Sequence, residues 1–338
     1  TKTMNSDFIL QLLKPTLQDL KEMKTFLKAL ESYNTKYISR VAKIIKKSSK
    51  SNICFVGFNC DEGVIRNLGR EGAKHGAKYI RREFANLPVT FGTKMEIFDA
   101  GDIDCVDGNM EEAQEQLKIA VSLLIDNGYF PIVLGGGHEL ALGNYNGIVD
   151  FFDKNGKNKP SLGIINFDAH FDLRPYKNQG SSGTMFTQIA DRCAEQSHPF
   201  SYMCLGVQAS SNTISLFKKA DLLGVKYILG KDFVEPNFES ISKTIDEFID
   251  KHELIYFTLC SDVINASFAP GVSAIQPFGM NAEVVLTFIK QIFRSKKVVS
   301  FDIAEVSPRF DQDNRTAKLI AVIIFAIINV LNENNQAN

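Results

Sequence analysis

The chain of 338 residues is 44% hydrophobic and 23% charged, with 38 Lys+Arg against 39 Asp+Glu and no Trp. That balance excludes a disordered, collagen-like or fibrous protein. A formal net charge of −1 offers no basic excess to a phosphate backbone, so the expected partner is a small molecule and not a nucleic acid.

The chain opens Thr1-Lys2-Thr3-Met4 without a signal-peptide core. From Pro15 the apolar residues Leu17, Leu20, Met23, Leu27 and Leu30 recur at helical spacing with Lys and Glu between them. Residues 1–50 are therefore expected to form a helical extension, serving core packing or an oligomer contact. A homo-oligomer is expected. After Ser51 the texture changes to short apolar runs at Ile53–Gly57, Pro131–Leu134, Leu162–Asn166, Tyr202–Val207, Val225–Leu229, Leu254–Leu259 and Val298–Phe301, which read as buried strands. Helix-length segments lie between them, among them Met110–Ile125, Leu140–Phe152, Ile214–Leu222, Ile241–Lys251 and Ala282–Phe293. This alternation predicts a single α/β domain over 51–338, with a mostly parallel sheet covered by helices on both faces. The polar stretch at 153–160 reads as a surface loop within it. The most apolar run, Leu319–Leu331, falls short of a membrane span of about 18 to 20 residues, so no membrane anchor is expected. Cys54, Cys60, Cys105, Cys193, Cys204 and Cys260 form no C-x-x-C pair, which points to reduced thiols and a cytoplasmic setting.

In an open α/β sheet the ligand site lies beyond the carboxyl ends of the strands. There the sequence places Gly135-Gly136-Gly137-His138-Glu139, Asp168-Ala169-His170-Phe171-Asp172, Cys260-Ser261-Asp262 and Asp302-Ile303-Ala304-Glu305. Extended backbone would send Asp168, His170 and Asp172 to one side. Such a set exceeds the needs of one ion and suits two adjacent divalent cations, with Mn2+ the expected choice for an oxygen-rich site with some nitrogen. Each piece also has an ordinary role. The glycines can cradle an anion, Asp262 can cap a turn, and Asp302 and Glu305 can open a helix. Their joint occurrence at corresponding strand ends favours the metal centre.

These residues resemble the ureohydrolase superfamily of arginases, agmatinases and formimidoylglutamases, whose pattern is Gly-Gly-x-His, Asp-x-His-x-Asp and Asp-x-Asp followed by Pro-Gly. The likeness runs from Ser51 to the C-terminus. Within the superfamily it is nearest to formimidoylglutamases, through Arg66-Asn67-x-Gly69-Arg70-x-Gly72-Ala73, the His138 and Asp168–Arg174 segments, Ser181-Ser182-Gly183-Thr184 and Ala269-Pro270-Gly271-Val272-Ser273-Ala274. The resemblance implies an arginase-like three-layer fold and a binuclear Mn2+ site. It also implies hydrolysis of N-formimidoyl-L-glutamate to L-glutamate and formamide, in histidine catabolism, by attack of a metal-activated hydroxide. Carried over residue by residue, His138 and Asp172 would bind one ion, His170 and Asp262 the other, and Asp168 would bridge. The second bridge falls on Cys260, where the superfamily has Asp. A softer, shorter thiol there either admits zinc or iron, leaves one ion in place of two, or has no metal role. Asp172 and Glu305 are the expected catalytic residues, with Asp302 behind Glu305, and Arg174, Ser182 and Thr184 the expected substrate contacts. Phe186 stands where arginases have a shuttle histidine. A related amidine or guanidine hydrolase, and a metal-deficient non-catalytic member, are the alternatives.

Overall fold

The computed structural model describes residues 51–90, 95–154 and 160–336. The helical stripe expected within residues 1–50 lies outside the described residues, as does most of the loop expected over 153–160. Eight strands, β1 (Ser51–Asn59), β2 (Met95–Asp104), β3 (Tyr129–Leu134), β4 (Leu162–Phe167), β5 (Tyr202–Val207), β6 (Lys226–Leu229), β7 (Leu254–Cys260) and β8 (Val298–Ala304), form one sheet. Their order is β2-β1-β3-β8-β7-β4-β5-β6 and every pairing is parallel. The connecting helices are α1 (Glu62–Arg66), α2 (Gly76–Phe84), α3 (Met110–Asp126), α4 (Leu140–Lys154), α5 (Met185–Glu195), α6 (Ile214–Leu222), α7 (Phe238–Asp250), α8 (Ala282–Arg294) and α9 (Arg315–Gln336).

A parallel sheet must be covered on both faces, because its crossovers run over them. Alternation along the central strands sorts the side chains accordingly. Ile165, Phe167, Phe257, Leu259, Phe301 and Ile303 face a core closed by α2, α7, α8 and α9. Their neighbours in sequence face the other way, where Tyr256 and Ala304 join a second core closed by α3, α4, α5 and α6. The helices start where local chemistry supplies donors' partners: Asn109 accepts from Glu112 N at the head of α3, Asn281 from Glu283 N at the head of α8, and the Asp311 carboxylate from Thr316 N and Ala317 N at the head of α9. By length and composition α9 could cross a membrane. In the fold it buries Ile320, Ile324, Ile327 and Ile328 completely against the sheet, as a core helix does.

The apolar runs find their strands, and β2 is the addition. Its sequence, Met-Glu-Ile-Phe-Asp-Ala-Gly-Asp-Ile-Asp, carries too many acids to read as a buried run, because it lies at the sheet edge and is half-buried. Arg81 of α2 pins it through ion pairs with Asp99 and Asp102. β3 and β4 are consecutive in sequence, yet β8 and β7 lie between them. The carboxyl ends of these central strands therefore meet, and the loops that follow them share one space.

Candidate metal centre

The turn after β3 is squeezed between neighbouring backbones. Gly135 N donates to Ile303 O at 2.7 Å, Gly136 N to Phe58 O at 2.9 Å and Gly137 N to Cys60 O at 2.8 Å. A Cβ at Gly136 would lie 1.9 Å from Cys60 O, so no side chain fits there. The next residue, His138, is thereby held in the cleft with 1% exposure. Its backbone N donates to Glu305 Oε1 at 3.1 Å, while Glu305 N donates to Gly136 O, so the loops after β3 and β8 brace each other.

His138 Nε2 lies 2.9 Å from Thr258 Oγ1. Thr258 pairs in register with Asp302 across β7 and β8, and its hydroxyl helps hold the charge of that carboxylate. When the Thr258 oxygen accepts from Nε2–H, Nδ1 is the nitrogen left to hold a cation or a proton. That nitrogen faces Asp168 Oδ2 and Asp172 Oδ2, each at 3.0 Å. The buried Asp262 Oδ1 makes no hydrogen bond. A lone pair set against carboxylate oxygens is repulsive unless a cation or proton stands between them. Asp302 therefore stands behind His138 and not behind Glu305, braced by Asn144 Nδ2 at 2.6 Å and by the Tyr256 hydroxyl.

The loop after β4 supplies the rest. It is not extended as the i, i+2, i+4 argument supposes. The strand ends at Phe167, and Asp172 has a left-handed φ of 51°. The side chains converge all the same. Asp168 also faces His170 Nδ1 at 3.4 Å, and His170 Nδ1 lies 3.2 Å from Asp262 Oδ2. Donor atoms of His138, Asp168 and Cys260 all lie within 4.8 Å of one another, as do those of Asp168, His170 and Asp262. Asp168 thus belongs to both groups, as a bridging carboxylate would. Glu305 is a second left-handed residue, with φ 68°. Such backbone costs about 1–3 kcal/mol and persists where the surroundings enforce it.

Burial and mutual charge set the protonation. Burial pulls the His138 and His170 imidazoles down, but the facing carboxylates outweigh it and raise both well above the usual histidine range. Burial favours the acid form of Asp168, yet the two imidazoles hold it below the usual carboxylate range. Burial and the Asp168 charge push Asp172 up to about 6. Burial and the surrounding carboxylates also push the Cys260 thiol and the Glu305 carboxyl well up. The donor set, the imidazole nitrogen facing two carboxylates and the unpaired Asp262 oxygen fit a pair of divalent cations.

Above these residues opens a cavity of about 320 Å³, the lower end of the small-molecule range. His138, His170, Asp172, Cys260, Asp262 and Glu305 line its inner part, with Asp168 buried beneath. Arg174 and Ser182 are on its wall. The Arg174 guanidinium is exposed and has no ion pair among the described residues. Gly183 makes room for it, since a Cβ there would lie 2.9 Å from Arg174 Cδ. Thr184 is not on the wall. Its hydroxyl is committed to Ser181 and to Gln188 Oε1 at 2.9 Å, as part of the turn that starts α5. Phe186 is buried edge-on against His138 at 5.8 Å and stacked on Tyr202. Thr258, Tyr256 and Asn144 are absent from the sequence reading. The alternation that puts Tyr256 and Thr258 on the face of Cys260 was the signal for those two; nothing local marked Asn144.

Comparison with known proteins agrees with this geometry. The arginase family pattern matches residues 51–329. A formimidoylglutamase of Clostridium tetani is 50% identical over 285 residues, 84% of this chain and 84% of that protein. One of Geobacillus thermodenitrificans is 42% identical over 79% of this chain and 80% of its own length. The solved formimidoylglutamase of Bacillus subtilis superposes with a TM-score of 0.74 at 20% identity, covering 85% of this chain and 88% of that one. Trypanosoma cruzi formiminoglutamase with Mn2+ gives 0.73 at 23% identity, covering 84% and 94%. Fold, strand-end motifs and overall identity coincide: the chain belongs to the arginase family.

Proposed function

We propose that this protein is a formimidoylglutamase, hydrolysing N-formimidoyl-L-glutamate to L-glutamate and formamide with two Mn2+ held by His138, Asp168, His170, Asp172, Cys260 and Asp262. The observation that carries the reading is Arg174, a guanidinium without an acidic partner among the described residues, on the wall of the cavity that ends in the ligand cluster. A substrate with an amidine at one end and carboxylates beside it matches that arrangement, whereas agmatine has no carboxylate for Arg174 to bind.

Bound divalent cations supply a water acidic enough to act as nucleophile near neutral pH. Water adds to the formimidoyl carbon, and the bond from that carbon to the glutamate nitrogen breaks. Asp172, on the cavity wall beside His138, is placed to take a proton and hand it to the departing amine. Glu305, on the cavity wall and braced by His138 N, is placed to hold the amidinium nitrogen. Ser182 adds a hydroxyl to the wall; Thr184 acts through the turn that carries Ser182. A bound cation would favour the Cys260 thiolate, which would keep the charge an aspartate would bring. All six cysteines are free, which suits a reducing cytoplasm.

The test is glutamate release from formimidoylglutamate by protein reconstituted with Mn2+, with metal content measured on the same sample. About two ions per chain with turnover, and none on agmatine or arginine, is the expected result. Absence of glutamate from fully loaded protein overturns the reading.

A further inference from the structure

The cavity wall carries a second guanidinium, Arg70, in a segment that nothing in the proposed chemistry uses. It is held more firmly than a surface arginine normally is. Arg70 N donates to Ser273 Oγ at 2.7 Å, Nε to Ser273 O at 2.8 Å and Nη2 to Val272 O at 2.8 Å. Its guanidinium lies over the Phe310 ring, 3.8 Å from the centroid. Gly69 permits this approach, because a Cβ there would meet Ser273 Oγ at 2.9 Å and Val64 Cγ1 at 2.7 Å. The loop after α1 is thus strapped to the Val272–Ser273 segment. The straps use backbone carbonyls, so they leave the positive charge uncompensated, and Nη1 has no hydrogen bond among the described residues. No acidic residue pairs with Arg70 among the described residues.

We infer that Arg70 is a specificity-determining residue that binds the side-chain carboxylate of the substrate through Nη1, while Arg174 binds the α-carboxylate. This rests on the formimidoylglutamase reading. The lining residues of the cavity include two guanidinium groups, Arg70 and Arg174, and the substrate has two carboxylates. Chain geometry divides them. The α-carboxylate adjoins the carbon that carries the reacting nitrogen, so it stays near the ligand loop, from which Arg174 follows directly. The side-chain carboxylate is two methylenes further out and needs a cation held away from that loop. A guanidinium already fixed by its own backbone contacts loses little freedom on binding it.

The experiment compares wild type, Arg70→Gln and Arg70→Lys on N-formimidoyl-L-glutamate and on N-formimidoyl-L-glutamine, whose side chain is neutral. Removing a charged hydrogen-bond partner should raise KM for the glutamate substrate roughly 10- to 100-fold with kcat little changed. The same change should nearly vanish on the glutamine derivative, and Arg70→Lys should fall between. Equal penalties on both substrates would show that Arg70 only shapes the loop and would overturn the proposal. If Arg70→Gln fails to fold, the wild type decides alone. It must prefer the glutamate substrate by a comparable factor, and equal handling of the two overturns the proposal. A wild type that releases neither glutamate from the first substrate nor glutamine from the second overturns the formimidoylglutamase reading itself, a result distinct from equal handling.

Discussion

The two faces of the sheet are built from the same strands and serve different ends. On the face under α7, α8 and α9 the inward residues are Phe, Ile, Leu and Val, with Phe257 touching Phe293 and Phe301 at ring separations of 5.3 Å. On the other face the same strands alternate into Asn166, Asp168, Thr258, Cys260, Ser300 and Asp302, all buried. These are tied laterally: Ser300 Oγ donates to Asn144 Oδ1 at 2.7 Å, Asn144 Nδ2 to Asp302, and Asn166 Nδ2 to Asp168 Oδ2 at 3.2 Å. A buried polar group costs free energy unless its partners are all present. Both faces bury apolar side chains, but only the second also carries, toward the strand ends, a row of buried polar atoms that the packing around it holds in place.

If that division is right, substitutions on the two faces should separate stability from chemistry. The largest effect is expected from Asp172→Asn, which should lower turnover by about 10²–10⁴ while the thermal melt stays close to wild type; unchanged turnover would remove Asp172 from proton transfer. On the apolar face, Ile324→Ala should cost about 2–5 kcal/mol in denaturant unfolding and leave Mn2+ stoichiometry intact. Loss of metal there would break the comparison. Glu139, fully buried beside the glycine turn and accepting from Gly63 N, should report through pH. Burial pushes its carboxyl up to about 7 from a usual 4.5. A raised acid keeps its proton in the folded state after the unfolded chain has lost it, so its contribution is full below about pH 4.5 and is lost as pH rises through 7. Metal-free wild type should lose up to about 3 kcal/mol relative to Glu139→Gln between pH 4.5 and 7, measured by urea unfolding. Next, Asp302→Asn should weaken Mn2+ binding about 10- to 100-fold by calorimetry, because it disturbs the tautomer of His138 without touching the ion. Last, Cys260→Asp should raise Mn2+ affinity modestly and lower the preference for Zn2+; the reverse order would show the thiol to be the fitted ligand.

Most of the fold was legible because a parallel sheet buries its strands on both faces and leaves continuous apolar runs, as at Tyr202–Val207, where run and strand coincide. The acid-rich β2 escaped that rule, since most of its residues are partly or fully exposed. The ligands were legible because they follow those runs directly. Asp172 shows where such a reading stops. Its place was found by counting in twos along a strand, but it reaches the site through a left-handed turn that no periodicity announces. Arg174 and Ser182 could be picked out by charge and motif; that Thr184 turns inward to Ser181 and Gln188 depends on how the turn closes. The support behind His138 comes from β7, β8 and α4 together, and such a contact is a property of packing and not of any one segment.

The acids of β2 also bear on how this protein behaves when crowded. An open parallel sheet ends in strands whose outer N–H and C=O groups can recruit a strand from a neighbouring molecule. Among the described residues, one border presents Glu96, Asp99, Asp102 and Asp104, the middle two held by Arg81, and the opposite border is the four-residue β6, which opens on exposed Lys226. A strand added on the first side would have to disturb the Arg81 ion pairs of Asp99 and Asp102, and the second offers too short a ladder to hold a visitor. The residues that hid β2 from a reading of apolar runs are the kind that blunt a sheet edge.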